Sequence, residues 1–106
     1  MIELNVNSLK YERNQYIQAR NSAQKVADQL SVAIQKIEEV IELQKTSYKI
    51  EDQNNANNFL TELKNTESSI YNNIVNTVIP NANYKINSLK NKIEDAMVEE
   101  TIQGQN

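Results

Sequence analysis

Residues 26–41, VADQLSVAIQKIEEVI, decide the fold, because their apolar side chains recur at the spacing of a helix. The repeat begins upstream of this stretch and takes alternating steps of three and four, through Tyr16, Ala19, Ala23, Val26, Leu30, Ala33, Ile37 and Val40. A second line runs one position later, through Ala27, Ile34 and Ile41. Together the two lines cover roughly 140° of a helix, which is wider than a two-stranded coiled-coil seam. The pattern predicts a long amphipathic first helix over residues 8–45.

A second stripe of apolar residues predicts a second long helix over residues 55–100. Pro80 lies inside this stripe, where it removes a backbone donor and crowds the carbonyl four residues earlier. We therefore expect a continuous helix that is kinked at Pro80. The stripe is carried by Phe59, Leu60, Leu63, Ile70, Ile74 and Val78 and then by Ala82, Ile86, Leu89, Ile93 and Met97.

The chain holds one glycine and one proline, so it offers few points at which a helix should end. The apolar stripe is lost in residues 46–54, where Asn and Asp favour caps and turns, and these residues are predicted to form a hinge. Residues 1–7 alternate apolar and polar side chains, which indicates an extended arm. Residues 101–106 are expected to be a frayed tail. The predicted fold is all-α, a single antiparallel helical-hairpin domain that resembles a coiled coil.

The composition argues against catalysis and against a metal site. The sequence has no cysteine and no histidine, so it lacks the usual thiol nucleophile, imidazole base and zinc ligands. Carboxylate pairs such as Glu38/Glu42 and Glu94/Asp95 fall on polar faces, where solvated acids are the default. We expect no enzyme activity, no catalytic residues, no metal and no cofactor.

Charge and hydropathy exclude two further classes of partner. The net charge is −3 and basic residues do not cluster, which argues against nucleic acid. No apolar run is long enough to cross a bilayer, so membrane insertion is not expected. Met1 is not followed by the apolar stretch of a cleavable signal peptide, and a cytoplasmic location is expected.

The width of both stripes predicts a protein partner. Two neighbouring helices each hide only the strip that faces the other, and further helices normally cover the remainder in a four-helix bundle. A second copy or a different protein must supply those helices. The predicted partner-binding seam consists of Tyr16, Ala23, Val26, Leu30, Ile34, Ile37, Ile41, Ile70, Ile74, Val78, Ile86, Leu89 and Ile93. In the hinge, Tyr48 is not explained by packing on a helix face, and it is a candidate for recognition together with Ile50, Asp52 and Phe59.

The layout resembles the small Trp-X-Gly (WXG-like) helical-hairpin proteins of type VII (ESX) secretion. Ile2-Glu3-Leu4-Asn5-Val6-Asn7 is similar to the entry segment of the relatives that accompany LXG toxins. Tyr48-Lys49-Ile50 occupies the place of the Trp-X-Gly motif, whose Trp and Gly are both replaced, and Ala56 and Phe59 follow. Val78-Ile79-Pro80, followed by Ile86, Leu89 and Ile93, also matches such proteins. The resemblance implies a targeting factor or chaperone-like partner that binds the helical N-terminal domain of an LXG toxin and promotes its export. It also implies that the protein could be secreted together with that toxin.

Two other functions fit the same pattern. One is a self-associating structural protein that forms a homodimer through its helices. The other is a small regulatory or antitoxin-like binding module.

Overall fold

The computed structural model describes the backbone of residues 2–47 and 50–104 and the side chains of residues 5–46 and 53–99. Helix α1 spans Ile2–Ser47 and helix α2 spans Ile50–Asn73. A π-helical segment, Ile74–Val78, leads into helix α3, Ile79–Gly104. The predicted all-α class is confirmed, since residues 2–47 and 50–104 contain no strand. Within those same residues, no helix combines the length and the apolar character needed to cross a membrane.

Helix α1 begins at Ile2, so the prediction of an extended arm over residues 1–7 is wrong for residues 2–7. Val6 is buried and Leu9 is partly buried. Val6, Leu9, Arg13 and Tyr16 follow one another in steps of three and four, which is the spacing of a helix. A helix also satisfies its backbone donors and acceptors internally, whereas an extended arm needs a neighbouring strand. Burial of Val6 therefore outweighs the short alternating pattern.

The helices also extend into the hinge that was predicted over residues 46–54. Helix α1 continues to Ser47, and α2 already begins at Ile50. Near this end, the side-chain amide of Gln53 donates to the backbone carbonyl of Lys45 at 2.9 Å. That contact satisfies one of the carbonyls that every helix leaves without an internal partner in its last turn. The preference of Asn and Asp for turns is worth only about 1 kcal/mol per residue, too little to prevent a helix here.

The predicted second helix, residues 55–100, is helical throughout but is not one uninterrupted α-helix. The π segment separates α2 from α3, and α3 continues to Gly104, into the predicted tail. Asn76, four residues before Pro80, lies in this segment. A regular α-helix would leave the carbonyl of Asn76 without its donor, because proline has no N–H. The π segment lies at this site as a single wider turn inserted between two α-helices. The kink at Pro80 stays a prediction.

The structure divides into two compact units, which are described separately. The central unit is Gln24–Thr77, and the terminal unit combines Met1–Ala23 with Val78–Asn106. In the central unit, Lys64 of α2 forms an ion pair with Glu38 of α1 at 3.1 Å. This contact and the Gln53–Lys45 bond show that residue numbers rise along one helix as they fall along the other. The two helices of this unit therefore form an antiparallel hairpin.

The terminal unit contains three of the four apolar residues that are buried in the described part of the chain. Val6 of α1 and Leu89 and Ile93 of α3 are each about 5 % exposed or less. A polar contact accompanies them, since the Nη1 of Arg20 donates to Asn83 Oδ1 at 3.2 Å. The corresponding buried residue of the central unit is Ala27, which is 0 % exposed.

Candidate docking surface

One line of positions along helix α1 is buried or partly buried, and it continues through both units. These positions follow steps of three and four, and every residue on them is buried or partly buried. In the central unit they are Ala27, Leu30, Ile34, Ile37, Ile41 and Gln44, and in the terminal unit Val6, Leu9, Arg13, Tyr16, Arg20 and Ala23. The contact seam thus combines the second predicted line with every other residue of the first, namely Tyr16, Ala23, Leu30 and Ile37. Ala19, Val26 and Val40 of the first line are exposed.

Helix α2 presents a much more polar line to α1. Its partly buried positions at the same spacing are Gln53, Asn57, Leu60, Lys64, Glu67 and Tyr71, and Ile74 of the π segment continues the line. Asn57 Oδ1 and Glu67 Oε2 are buried and have no hydrogen-bond partner. An unsatisfied buried polar group costs about 1–3 kcal/mol. The contact of α2 with α1 therefore buries polar side chains, and turning the apolar side of α2 towards α1 would bury more of its apolar residues.

One flank of this helix pair is polar. A shallow cavity of about 330 Å³ lies between the helices and is lined by Ser31, Ile34, Ser68, Tyr71 and Asn72. Ser31 follows the seam residue Leu30, and Ser68 follows the seam residue Glu67. The positions that follow the seam on each helix therefore share one side of the hairpin, here called the polar flank.

The opposite flank is mostly apolar and mostly exposed, although Gln29, Lys36 and Thr66 also lie on it and Ala33 is partly buried. Because the helices are antiparallel, residues that precede seam positions on the two helices meet on this other side. We call this surface the apolar face. Leu43 and Phe59 are its most open members, with 66 % and 65 % of their surface accessible. It consists of Val26, Ala33, Val40 and Leu43 from α1 and Phe59, Leu63 and Ile70 from α2. These side chains expose on the order of 500 Å² of apolar surface, near the upper end for the largest patch on a typical monomer.

The residues of the predicted partner-binding seam separate into three groups. Leu89 and Ile93 are buried within the terminal unit by the chain itself. Tyr16, Ala23, Leu30, Ile34, Ile37, Ile41, Ile74 and Ile86 are partly buried. Only Val26 and Ile70, in the central unit, and Val78, in the terminal unit, are exposed. Of the hinge candidates, Phe59 lies on the apolar face, whereas Tyr48 and the side chains of Ile50 and Asp52 lie outside the described residues.

A larger concavity, of about 640 Å³, runs along α1 and carries three carboxylates. Its lining is Gln35, Glu38, Glu39, Glu42, Leu43 and Thr46. Lysines contact two of these acids, Lys64 at Glu38 and Lys45 at Glu42, the latter at 2.9 Å. Among the residues that the structure describes, no group of three or more His, Cys, Asp or Glu side chains could hold a metal ion. The apolar face is therefore the strongest candidate for a functional surface.

Comparison with protein-family models, with curated proteins and with solved structures gave no match.

The orphan amide in the seam leads to a stability prediction. Asn57→Leu replaces a buried, unpartnered acceptor by an apolar side chain, and we expect the free energy of unfolding to rise by about 1 kcal/mol. Thermal unfolding followed by circular dichroism would show this as a midpoint raised by about 4–8 °C. The control is Asn58→Leu at the adjacent exposed position, which should change the midpoint little. Equal shifts for both variants would show that the orphan amide does not matter.

Proposed function

We propose that this protein is a non-catalytic adaptor that binds a helical domain of a larger protein through the apolar face of its central unit. The observation that supports this is the one-sided distribution of apolar residues on that hairpin. Phe59, Leu63 and Ile70 are exposed, while Asn57, Lys64 and Glu67 of the same helix are turned towards α1. A chain that folded only for its own stability would gain by the reverse arrangement.

A partner with two antiparallel helices would complete a four-helix bundle on this face. Covering about 500 Å² of apolar surface is worth on the order of 12 kcal/mol before costs are subtracted. The loss of translational and rotational freedom alone is estimated at about 4–15 kcal/mol. The partner must therefore contribute an apolar stripe of its own along a similar length of helix.

The resemblance to WXG-like proteins supports a specific kind of partner. On that basis the adaptor binds the helical N-terminal domain of an LXG toxin in the cytoplasm, directs it to type VII export, and leaves the cell with it. The absence of histidine and cysteine supports a role without chemistry. Tyr48 and Ile50, in the place of the Trp-X-Gly motif, are the candidates for recognition by the export machinery.

The proposal predicts a neighbouring gene for an LXG toxin, and binding to the helical N-terminal domain of that toxin tests it. Isothermal titration of the purified domain against the wild type should give a saturable 1:1 complex. Phe59→Asp and Ile70→Asp each place a carboxylate in the contact, and we expect at least a 100-fold loss of affinity. Both positions are exposed in the free chain, so the hairpin itself should stay folded.

The polar flank supplies matched controls for these variants. Ser31→Asp and Asn72→Asp introduce the same charge on the opposite side of the same two helices, and affinity should change by less than about threefold. Leu30 and Ile37 are unsuitable positions because both are partly buried at the intrachain seam. Retained affinity in the Phe59 and Ile70 variants, or its loss in the controls, would contradict the proposed surface.

A further inference from the structure

We propose that one flank of the terminal unit binds an acidic helix of another protein, with a carboxylate held between Arg13 and Lys90. The contact uses residues other than those of the apolar face, and it does not rest on the function proposed above. It rests on basic side chains that the fold brings together and leaves without an acidic partner.

The two arginines of the seam in the terminal unit turn their guanidinium groups towards the same side. Arg20 donates from Nε and Nη2 to Asn21 Oδ1, at 3.4 and 3.3 Å. Arg13 donates from Nη2 to Asn14 Oδ1 at 3.5 Å. In both cases the acceptor is the residue that follows the arginine. The guanidinium groups therefore lie towards the flank that is formed by residues following seam positions.

Helix α3 contributes a further charge to this flank. Its line of buried and partly buried positions runs through Ile79, Ala82, Ile86, Leu89 and Ile93. Asn83 and Lys90 follow two of these positions, and Asn83 Oδ1 accepts from Arg20 Nη1 at 3.2 Å. We call this surface the basic flank. Its basic residues are Lys10, Arg13 and Arg20 from α1 and Lys90 from α3.

The pairing of α1 with α3 places Arg13 beside Lys90. The contact between Arg20 and Asn83 fixes one level of the terminal unit. Val6 is buried two heptads before Arg20, and within this unit only antiparallel helices bring α3 alongside it. One heptad from the fixed level, Arg13 then shares a level with Lys90. Arg20 thus faces an amide, whereas Arg13 faces a second positive charge.

The charges of the basic flank are not compensated within the described part of the chain. The ion pairs found there join Lys45 with Glu42 and Lys64 with Glu38, all in the central unit. In addition, Arg13 Nε is buried and has no hydrogen-bond partner. Two like charges at one level repel each other, and a carboxylate placed between them attracts both.

The spacing of the arginines indicates a helix as the occupant. Arg13 and Arg20 are seven residues apart on one helix, a rise of about 10.5 Å, and carboxylates seven residues apart on a second helix have the same separation. A guanidinium binds a carboxylate through two parallel, charge-assisted hydrogen bonds. Ile17 is partly buried on the same flank between the two arginines. The bound helix should therefore carry an apolar residue between its two acids.

Charge favours an acidic helix over a nucleic acid. Glu94 follows Ile93 and shares the flank with the four basic residues, so three positive charges are in excess. Two or three carboxylates would neutralise this excess. A DNA duplex carries one negative charge per about 1.7 Å and commonly needs about six to ten phosphate contacts. The net charge of the chain, −3, also repels a long polyanion more than a short helix.

Two synthetic peptides test the proposal. The probe is a helical peptide of about 22 residues with a glutamate at every seventh position and a leucine between successive glutamates. The control peptide has glutamine in place of each glutamate. Fluorescence anisotropy at low salt should show saturable binding of the acidic peptide, at least about tenfold tighter than that of the control. Added salt should weaken this binding, because it screens exposed charges.

Variants of the protein locate the contact. Arg13→Gln and Lys90→Gln each remove one of the charges beside the carboxylate, and each should weaken binding of the acidic peptide about tenfold. Lys85→Gln and Lys92→Gln remove the same charge from the other flank, since both residues precede buried or partly buried positions of α3. These controls should change the affinity less than about twofold, and circular dichroism should show equal helicity in all four variants.

Four results would overturn the proposal. The first is a lack of saturable binding at about 1 mM acidic peptide, a limit that corresponds to a binding free energy of about −4 kcal/mol. The second is equal binding of the two peptides, and the third is an equal loss in all four variants. The fourth is tighter binding of a DNA duplex through Arg13 and Lys90, which would assign the flank to nucleic acid instead.

Discussion

Deleting Asn87 is expected to abolish cooperative unfolding, whereas deleting Asn76 should leave the protein folded. Both deletions are to be made in Pro80→Ala, so that proline does not oppose a regular helix at this site. The partly buried residues Ile74 and Ile79 are five positions apart, and the π segment between them contains one residue more than an α-helix needs. Without Asn76, the step from Ile74 to Ile79 becomes four residues. The apolar residues before and after the deletion then stay on the same side of the helix.

A deletion inside α3 has no such spare residue to remove. Without Asn87, Lys90 and Glu94 would move into the positions of Leu89 and Ile93, the buried residues of the terminal unit. The lost burial of Leu89 and Ile93, together with the desolvation of Lys90 and Glu94, should lower the free energy of unfolding by more than about 4 kcal/mol. Thermal melts followed by circular dichroism should show that deleting Asn76 changes the free energy of unfolding by less than about 1 kcal/mol, relative to the Pro80→Ala variant that carries no deletion. A comparable loss from both deletions would contradict this account of the π segment.

Ile93→Asp is expected to cost about 4 kcal/mol or more of stability, and Val98→Asp less than about 0.5 kcal/mol. Ile93 is 4 % exposed and Val98 is 57 % exposed, although both are apolar residues of α3. An aspartate at Ile93 would be buried without a partner, whereas one at Val98 would remain hydrated.

Urea unfolding of the two variants measures this difference directly. Ile93→Asn serves as a control for charge, because it keeps the shape of aspartate and removes the carboxylate. Its cost should be smaller than that of Ile93→Asp but should still exceed that of Val98→Asp. An equal effect at positions 93 and 98 would show that α3 packs on a different face.

The candidate surface was only partly predictable from the stripes. Val26, Ile70 and Phe59 were all picked out by their spacing, and all three lie on the apolar face. Leu89 and Ile93 have the same spacing but are buried within the chain, since periodicity shows that a face is apolar and not what covers it. The π segment did leave a signal. Ile70, Ile74, Val78, Ala82 and Ile86 follow one another in steps of four, which is longer than the 3.6-residue turn of an α-helix.

The sequence by itself determined that this protein is helical, because apolar residues recur at helical spacing and almost no residue interrupts them. It also predicted stripes wider than one neighbouring helix can cover. Only the tertiary structure decided which line of each stripe lies in the seam. In α2 the contact with α1 takes up Asn57, Lys64 and Glu67 and leaves Phe59, Leu63 and Ile70 outside. Neighbouring lines on a helix are one residue apart, so the packing of the opposite helix decides between them, and local spacing does not.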